Sequence, residues 1–157
     1  MRCVIQRVSA ASLAVDEGGA ERAHAAIGLG LVALLGIEQD DSDRDLAWMV
    51  GKIPTLRVFP DDAGKMNRSL LDLAAAGEPG LLLVPNFTVA GRAHKERRPD
   101  FTTAKAPGEA SAMFDRIVEA IRGASPGVTV VSGVFGAHMH VRLENDGPVT
   151  IWLDSRA

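Results

Sequence analysis

Few residues in this chain have the types and spacings that hydrolytic or metal chemistry needs. The sequence holds no Gly-x-Ser-x-Gly elbow, no His-Glu-x-x-His pair and no Gly-x-x-x-x-Gly-Lys-Ser loop. Cys3 stands alone, so this chain can form neither an internal disulfide nor a cysteine-based metal site. His138 and His140 alternate along a strand-like run and point to one face, as a metal pair does. No third ligand of suitable spacing accompanies them. No metal is therefore expected, and the pair reads as a solvated or dimer-facing strand surface. His24 and His94 are isolated, and His94 sits in a basic loop. Thr88, following Phe87, offers a hydroxyl, but a threonine nucleophile needs an adjacent base and none is close in sequence. Thr88 is either a β-branched residue ending a strand or part of a pocket wall. Gly147-Pro148 completes the set. The glycine has no Cβ, so a ligand or a second chain can approach its backbone closely. The bond after it is of the one kind that reaches cis at modest energy, and a cis bond would let two carbonyls accept from an ammonium group. A pocket made mainly of backbone, with no cofactor, is favoured over a side-chain-centred mechanism.

The elements that must position these residues follow from periodicity and breakers. Residues 2–8 read as a strand, and residues 9–15 as a second strand or its bent continuation. Asp16-Glu17-Gly18-Gly19 is a turn that closes a hairpin onto residues 21–27. The apolar run at 31–37 predicts a strand buried on both faces. Leu46, Met49, Val50 and Ile53 recur at helical spacing after several acidic N-cap candidates, and Pro54 should stop that helix. A short strand at 56–59, a turn at 60–64 and a short helix capped by Ser69 come next. Residues 81–84 form a buried strand that delivers Pro85, Asn86, Phe87 and Thr88 to its end. A polar loop, 91–99, leads to a helix that starts at Pro107. Its apolar stripe is Ala110, Met113, Phe114, Ile117, Val118 and Ile121. After a strand at 128–131, two alternating runs, 137–143 and 149–153, flank Glu144-Asn145-Asp146-Gly147, which reads as a β-hairpin. The sum is an α+β fold in one domain, residues 1–157, with a mainly antiparallel curved sheet and two main flanking helices.

At 157 residues, with 46% hydrophobic and 24% charged residues, the composition is that of a globular protein able to bury a core. No apolar run reaches the roughly 20 residues of a membrane span, and the N-terminal residues lack a signal-peptide pattern, so a cytoplasmic protein is expected. The net charge of −3 offers nucleic acid no overall attraction. Any such contact must be local. Arg92, Lys95, Arg97 and Arg98 against Glu96 give a local excess of three positive charges, which is either a solvated loop or a phosphate-facing patch.

Several separated runs then agree on one family. QRV from Gln6, GKMN from Gly64, NFTV from Asn86, VFGAHM from Val134 and NDGPVTIWLDS from Asn145 occur in the order found in the D-aminoacyl-tRNA deacylases. The chain resembles that family over essentially its whole length. The resemblance implies a partly closed β-barrel flanked by helices, built as a homodimer. It implies hydrolysis of the ester that joins a D-amino acid to tRNA. In this family Gly147-Pro148 would enter the partner subunit's active site, hold the substrate amino group and leave no room for an L side chain. Phe87 and Thr88 would supply the oxyanion site through backbone N–H groups, and Ala110, Phe135 and Met139 would stand at the walls. Gln6 and Arg7 match the family's N-terminal pair, in which the arginine fixes the Gly-Pro orientation. On their own, Phe135 and Met139 are also simple core residues and Arg7 a surface charge. The ribose hydroxyl of the substrate would help activate water, and the basic loop would meet the tRNA acceptor end.

The pocket strand departs from the family, which has Ser-Gln where this chain has Pro85-Asn86. A related branch acting on a mischarged L-aminoacyl-tRNA carries proline at the first of these positions, but lacks the phenylalanine and the N-terminal arginine. Phe87 and Arg7 side with D-specificity, with glycyl-tRNA as a further substrate. A relaxed deacylase of L-alanyl-tRNA and a non-catalytic protein that binds tRNA ends are the alternatives.

Overall fold

The computed structural model describes residues 1–93 and 97–157. The sheet hangs on β1 (Arg2–Glu17), a continuous strand of 16 residues. Residues 9–15 are thus the continuation of the first strand and not a separate one. On one edge β1 pairs antiparallel first with β3 (Gly30–Gly36) and then with β2 (Ala20–Ile27); on the other it pairs with β8 (Met139–Asp154). Beyond β3 the order continues through β6 (Gly80–Pro85) and β7 (Thr129–Ser132), both parallel. Parallel neighbours need long crossovers. The first carries α1 (Asp43–Lys52), the small ladder of β4 (Phe59–Pro60) and β5 (Met66–Arg68), and α2 (Leu70–Ala74); the second carries α3 (Pro107–Ala124).

Local chemistry accounts for the helix ends. Ser42 donates from its N–H and its hydroxyl to Asp45, 2.9 and 2.8 Å, fixing the start of α1. Ile53 caps that helix ahead of the buried Pro54. Ser69 and Asp72 form a reciprocal capping box on α2, with 2.8 Å from the Ser69 N–H and 3.2 Å back from the Asp72 N–H. Pro107 occupies the first turn of α3, where its missing N–H costs nothing.

The core lies on both faces of the central strands. Leu31, Ala33 and Leu35 of β3 and Leu81 and Leu83 of β6 pack on the helices with Met49, Phe114, Ile117 and Ile121. The intervening Val32, Leu82 and Val84 pack instead on Val8, Ala11 and Leu13 of β1. Cys3 and Ile5 of β1 face the helical side, yet Ala11 and Leu13, also odd-numbered, face the other cluster. A register shift between Val8 and Ala10 leaves Ser9 over, and one extra residue exchanges the two faces of a strand. The far half of β1 thereby curls over β3 and β6 and turns the sheet into a nearly closed barrel. Beyond β7 the Val134 N–H reaches Met139 Sδ at 3.4 Å. Among the described residues, no helix is long and apolar enough to cross a membrane.

The expected hairpin at 144–147 is not formed. β8 is one strand of 16 residues, and both its halves pair with β1. Val8 lies opposite Asn145 and Gln6 opposite Thr150, so Asp146, Gly147, Pro148 and Val149 answer to Arg7 alone. Turn-forming residues here make a wide bulge because β1 is long enough to template the strand on either side of them.

Candidate active site

At the end of β6 the chain enters a 3₁₀ turn, Phe87–Ala90. The Asn86 N–H donates to the Leu35 carbonyl at 2.8 Å, the last sheet-like hydrogen bond. The Asn86 carboxamide oxygen then accepts both the Thr88 N–H, at 3.1 Å, and the Thr88 hydroxyl. An asparagine in extended conformation immediately before a helical turn is a natural cap. The turn rests on Gly36: a Cβ there would meet the Ala90 nitrogen at 2.8 Å. Phe87 is 59% exposed, its ring set edge-on against Phe101 with centroids 5.1 Å apart.

Pro85, Asn86, Phe87 and Thr88 form one side of a cavity of about 450 Å³; the segment from Gly136 to Met139 forms the other. Met139 lines this cavity. Ala110 and Phe135 do not line this cavity. Ala110 is buried in the helical core, and Phe135 packs toward Phe114 with ring centroids 6.5 Å apart. His138 is the sole titratable side chain among the described lining residues. The Thr88 hydroxyl donates its hydrogen to Asn86, and among the described residues no base is hydrogen-bonded to it. Among the described residues no acceptor is found for the Phe87 N–H. The Thr88 N–H, by contrast, is already shared with Asn86.

The second group of residues gathers at the bulge. The Gly147-Pro148 peptide is cis, and Gly147 has φ +150°. A Cβ on Gly147 would meet the Val149 nitrogen at 2.6 Å, so the main chain there has no room for a side chain. Arg7 braces the corner, its Nε donating to the Asp146 carbonyl at 2.8 Å and its Nη1 to the Val58 carbonyl at 2.6 Å. Gln6 reaches the Thr150 hydroxyl at 3.2 Å. Asn145 closes the bulge by accepting from the Val149 N–H at 2.8 Å and donating to the Val149 carbonyl at 3.1 Å. Gly147 and Pro148 are exposed, and neither lines the cavity of their own chain. Sequence reasoning took Asn145 for a turn residue and passed over Gly36. The identical residue types served different roles once β1 and the 3₁₀ turn were in place.

Arg92 and Asp100 exchange two backbone hydrogen bonds of 2.8 Å, closing the base of the basic loop. Arg92, Arg97 and Arg98 are exposed. Lys95, with His94, lies outside the described residues.

The chain is similar to several known proteins. A family described as D-Tyr-tRNA(Tyr) deacylase matches residues 4–154. A D-aminoacyl-tRNA deacylase of Kosmotoga olearia is 50% identical, over 99% of this chain and 98% of that protein. A solved structure titled c-Myc DNA Unwinding Element Binding Protein superposes with a TM-score of 0.88 at 39% identity, each chain covered completely. Another, titled as a probable eukaryotic D-amino acid tRNA deacylase, gives a TM-score of 0.79 over 97% of both chains; at 20% identity it bears on the fold alone. The match across residues 4–154 and the half-identical relative place this chain in the D-Tyr-tRNA(Tyr) deacylase family.

Proposed function

We propose that this chain, a D-aminoacyl-tRNA deacylase, works as a homodimer in which the Gly147 corner of one protomer enters the partner's cavity. The observation that carries this reading is the corner itself. Arg7, from β1, and Asn145 hold an exposed stretch of main chain rigidly, although it contributes nothing to its own chain's cavity. Main chain fixed in this way excludes an L side chain by steric clash and needs no favourable contact with a D side chain, which points to solvent. Glycine has no side chain to clash, so glycyl-tRNA is a second substrate. Water attacks the ester carbonyl, and the developing oxyanion is received by the Phe87 N–H, such donors being worth about 3–4 kcal/mol elsewhere. The leaving group is the ribose oxygen, and the neighbouring ribose hydroxyl assists the proton transfer. Arg92, Lys95, Arg97 and Arg98 meet phosphates of the acceptor end. The enzyme's place of work is the cytoplasm.

Purified protein, offered D-tyrosyl-, glycyl- and L-alanyl-tRNA in chelator, tests this reading. Turnover of the first two with the third left intact is expected. Preferential hydrolysis of L-alanyl-tRNA would instead identify a relaxed deacylase, and binding without turnover a protein that only holds tRNA ends.

A further inference from the structure

The histidine pair before and within β8 lacks a third ligand in sequence but gains one from the fold. The Asp16 N–H donates to the His138 carbonyl at 2.9 Å, and Ala14 lies opposite His140 in the β1/β8 ladder. Asp16, His138 and His140 consequently share one face, while Val15 and Met139 between them turn inward onto the second core cluster. A donor atom from each of the three lies within 4.8 Å of the others. His138 Nδ1 is 3.7 Å from Asp16 Oδ2, and the imidazole centroids are 5.0 Å apart.

We propose that Asp16, His138 and His140 form a binding site for a divalent transition ion of the zinc type, at the rim of the substrate cavity. Two donors bound at 2.0–2.2 Å to a tetrahedral ion stand roughly 3.3–3.6 Å apart, so closing the set needs small side-chain rotations and no backbone movement. Two imidazoles and one carboxylate leave an open fourth position and suit zinc, nickel or copper over magnesium or calcium. An outer layer is also present. Glu21 Oε1 is 3.7 Å from His140 Nε2, and Glu21 is itself held by Arg142 at 2.7 Å. A carboxylate beside a ligating imidazole fixes its tautomer and raises its basicity. Because His138 also lines the cavity, the ion ties the rim formed by Gly136 to Met139 to the end of β1. Ester hydrolysis does not pass through it.

The test uses the untagged full chain, stripped with chelator and dialysed, then titrated calorimetrically with Zn²⁺ alone. One saturable ion per chain is expected, together with a higher melting temperature in its presence. Asp16→Asn and His140→Ala should each weaken binding by at least roughly 10–100-fold, the usual effect of losing even an outer partner, with metal-free melting unchanged. His24→Ala, on the neighbouring strand, should bind as the wild type does. Co²⁺ should give the visible absorption of a low-coordinate site in the wild type and not in the Asp16 or His140 variants. No saturable binding, or an affinity in Asp16→Asn and His140→Ala equal to that of the wild type, would overturn the assignment and leave a surface His–Asp pair only.

Discussion

Asn86 sets the local geometry of the turn that carries Thr88. Its short carboxamide reaches the N–H and the hydroxyl of Thr88 together, so one side chain sets the turn and the orientation of the hydroxyl. Asn86→Ala removes both bonds; losing a cap of this kind costs about 1 kcal/mol, small against the stability of a domain. The expected outcome is a folded protein with slower single-turnover deacylation of D-tyrosyl-tRNA. Asn86→Asp, which keeps a capping oxygen, should retain more of the rate. Equal single-turnover rates for the alanine variant and the wild type would remove Asn86 from the machinery. Gly36 belongs to the same assembly, since a methyl there collides with the Ala90 nitrogen and pushes the turn off β3.

At the scale of elements, the capping residues mark out the helices in sequence and in structure alike. Asp45 does more than cap: it ties α1 to the end of β8 through Ser155, whose hydroxyl donates to it at 2.6 Å. Burial alone would raise this carboxyl, but hydrogen bonds from Ser155 and Ser42 outweigh burial and hold it well below the usual carboxylate range. A depressed folded-state value means the carboxylate's contribution is complete above the unfolded value of about 4 and is lost as pH falls below it. Thermal melts of the wild type should therefore drop more steeply between pH 6 and pH 3 than those of Asp45→Asn. Parallel pH profiles would contradict this. The start of α3 at Pro107, the Ser69 cap of α2 and the strand delivering Phe87 and Thr88 were legible because each rests on neighbours in sequence. The bulge at Gly147 was not. Alternating runs on either side of Asn-Asp-Gly look the same in a hairpin and in a bulged strand, and the difference lies in the length of β1, far away in the chain. Asp16 escaped notice for the same reason: only the β1/β8 register brings it to the histidines.

The whole molecule carries a net charge of −3, so tRNA must be drawn by a local surface. Arg97 and Arg98 lie in the loop whose base is closed by Arg92 and Asp100. Replacing both by alanine should weaken tRNA binding for every amino acid alike. The salt dependence should shallow by about 0.7–0.9 for each phosphate charge that is no longer neutralised. An unchanged salt slope would assign this loop to solvent. Dimerisation is the larger claim, because the Gly147 corner does not line the cavity of its own chain. It is tested most directly by mixing two inactive variants: Gly147→Ala, with a spoiled corner and an intact cavity, and Thr88→Tyr, with a filled cavity and an intact corner. If the corner acts across a two-fold dimer, random exchange of protomers rebuilds one good site in each mixed pair and restores about a quarter of the wild-type deacylation per chain. Activity that stays at the level of the separate variants, with mixed dimers verified by mass, would contradict a site shared between protomers.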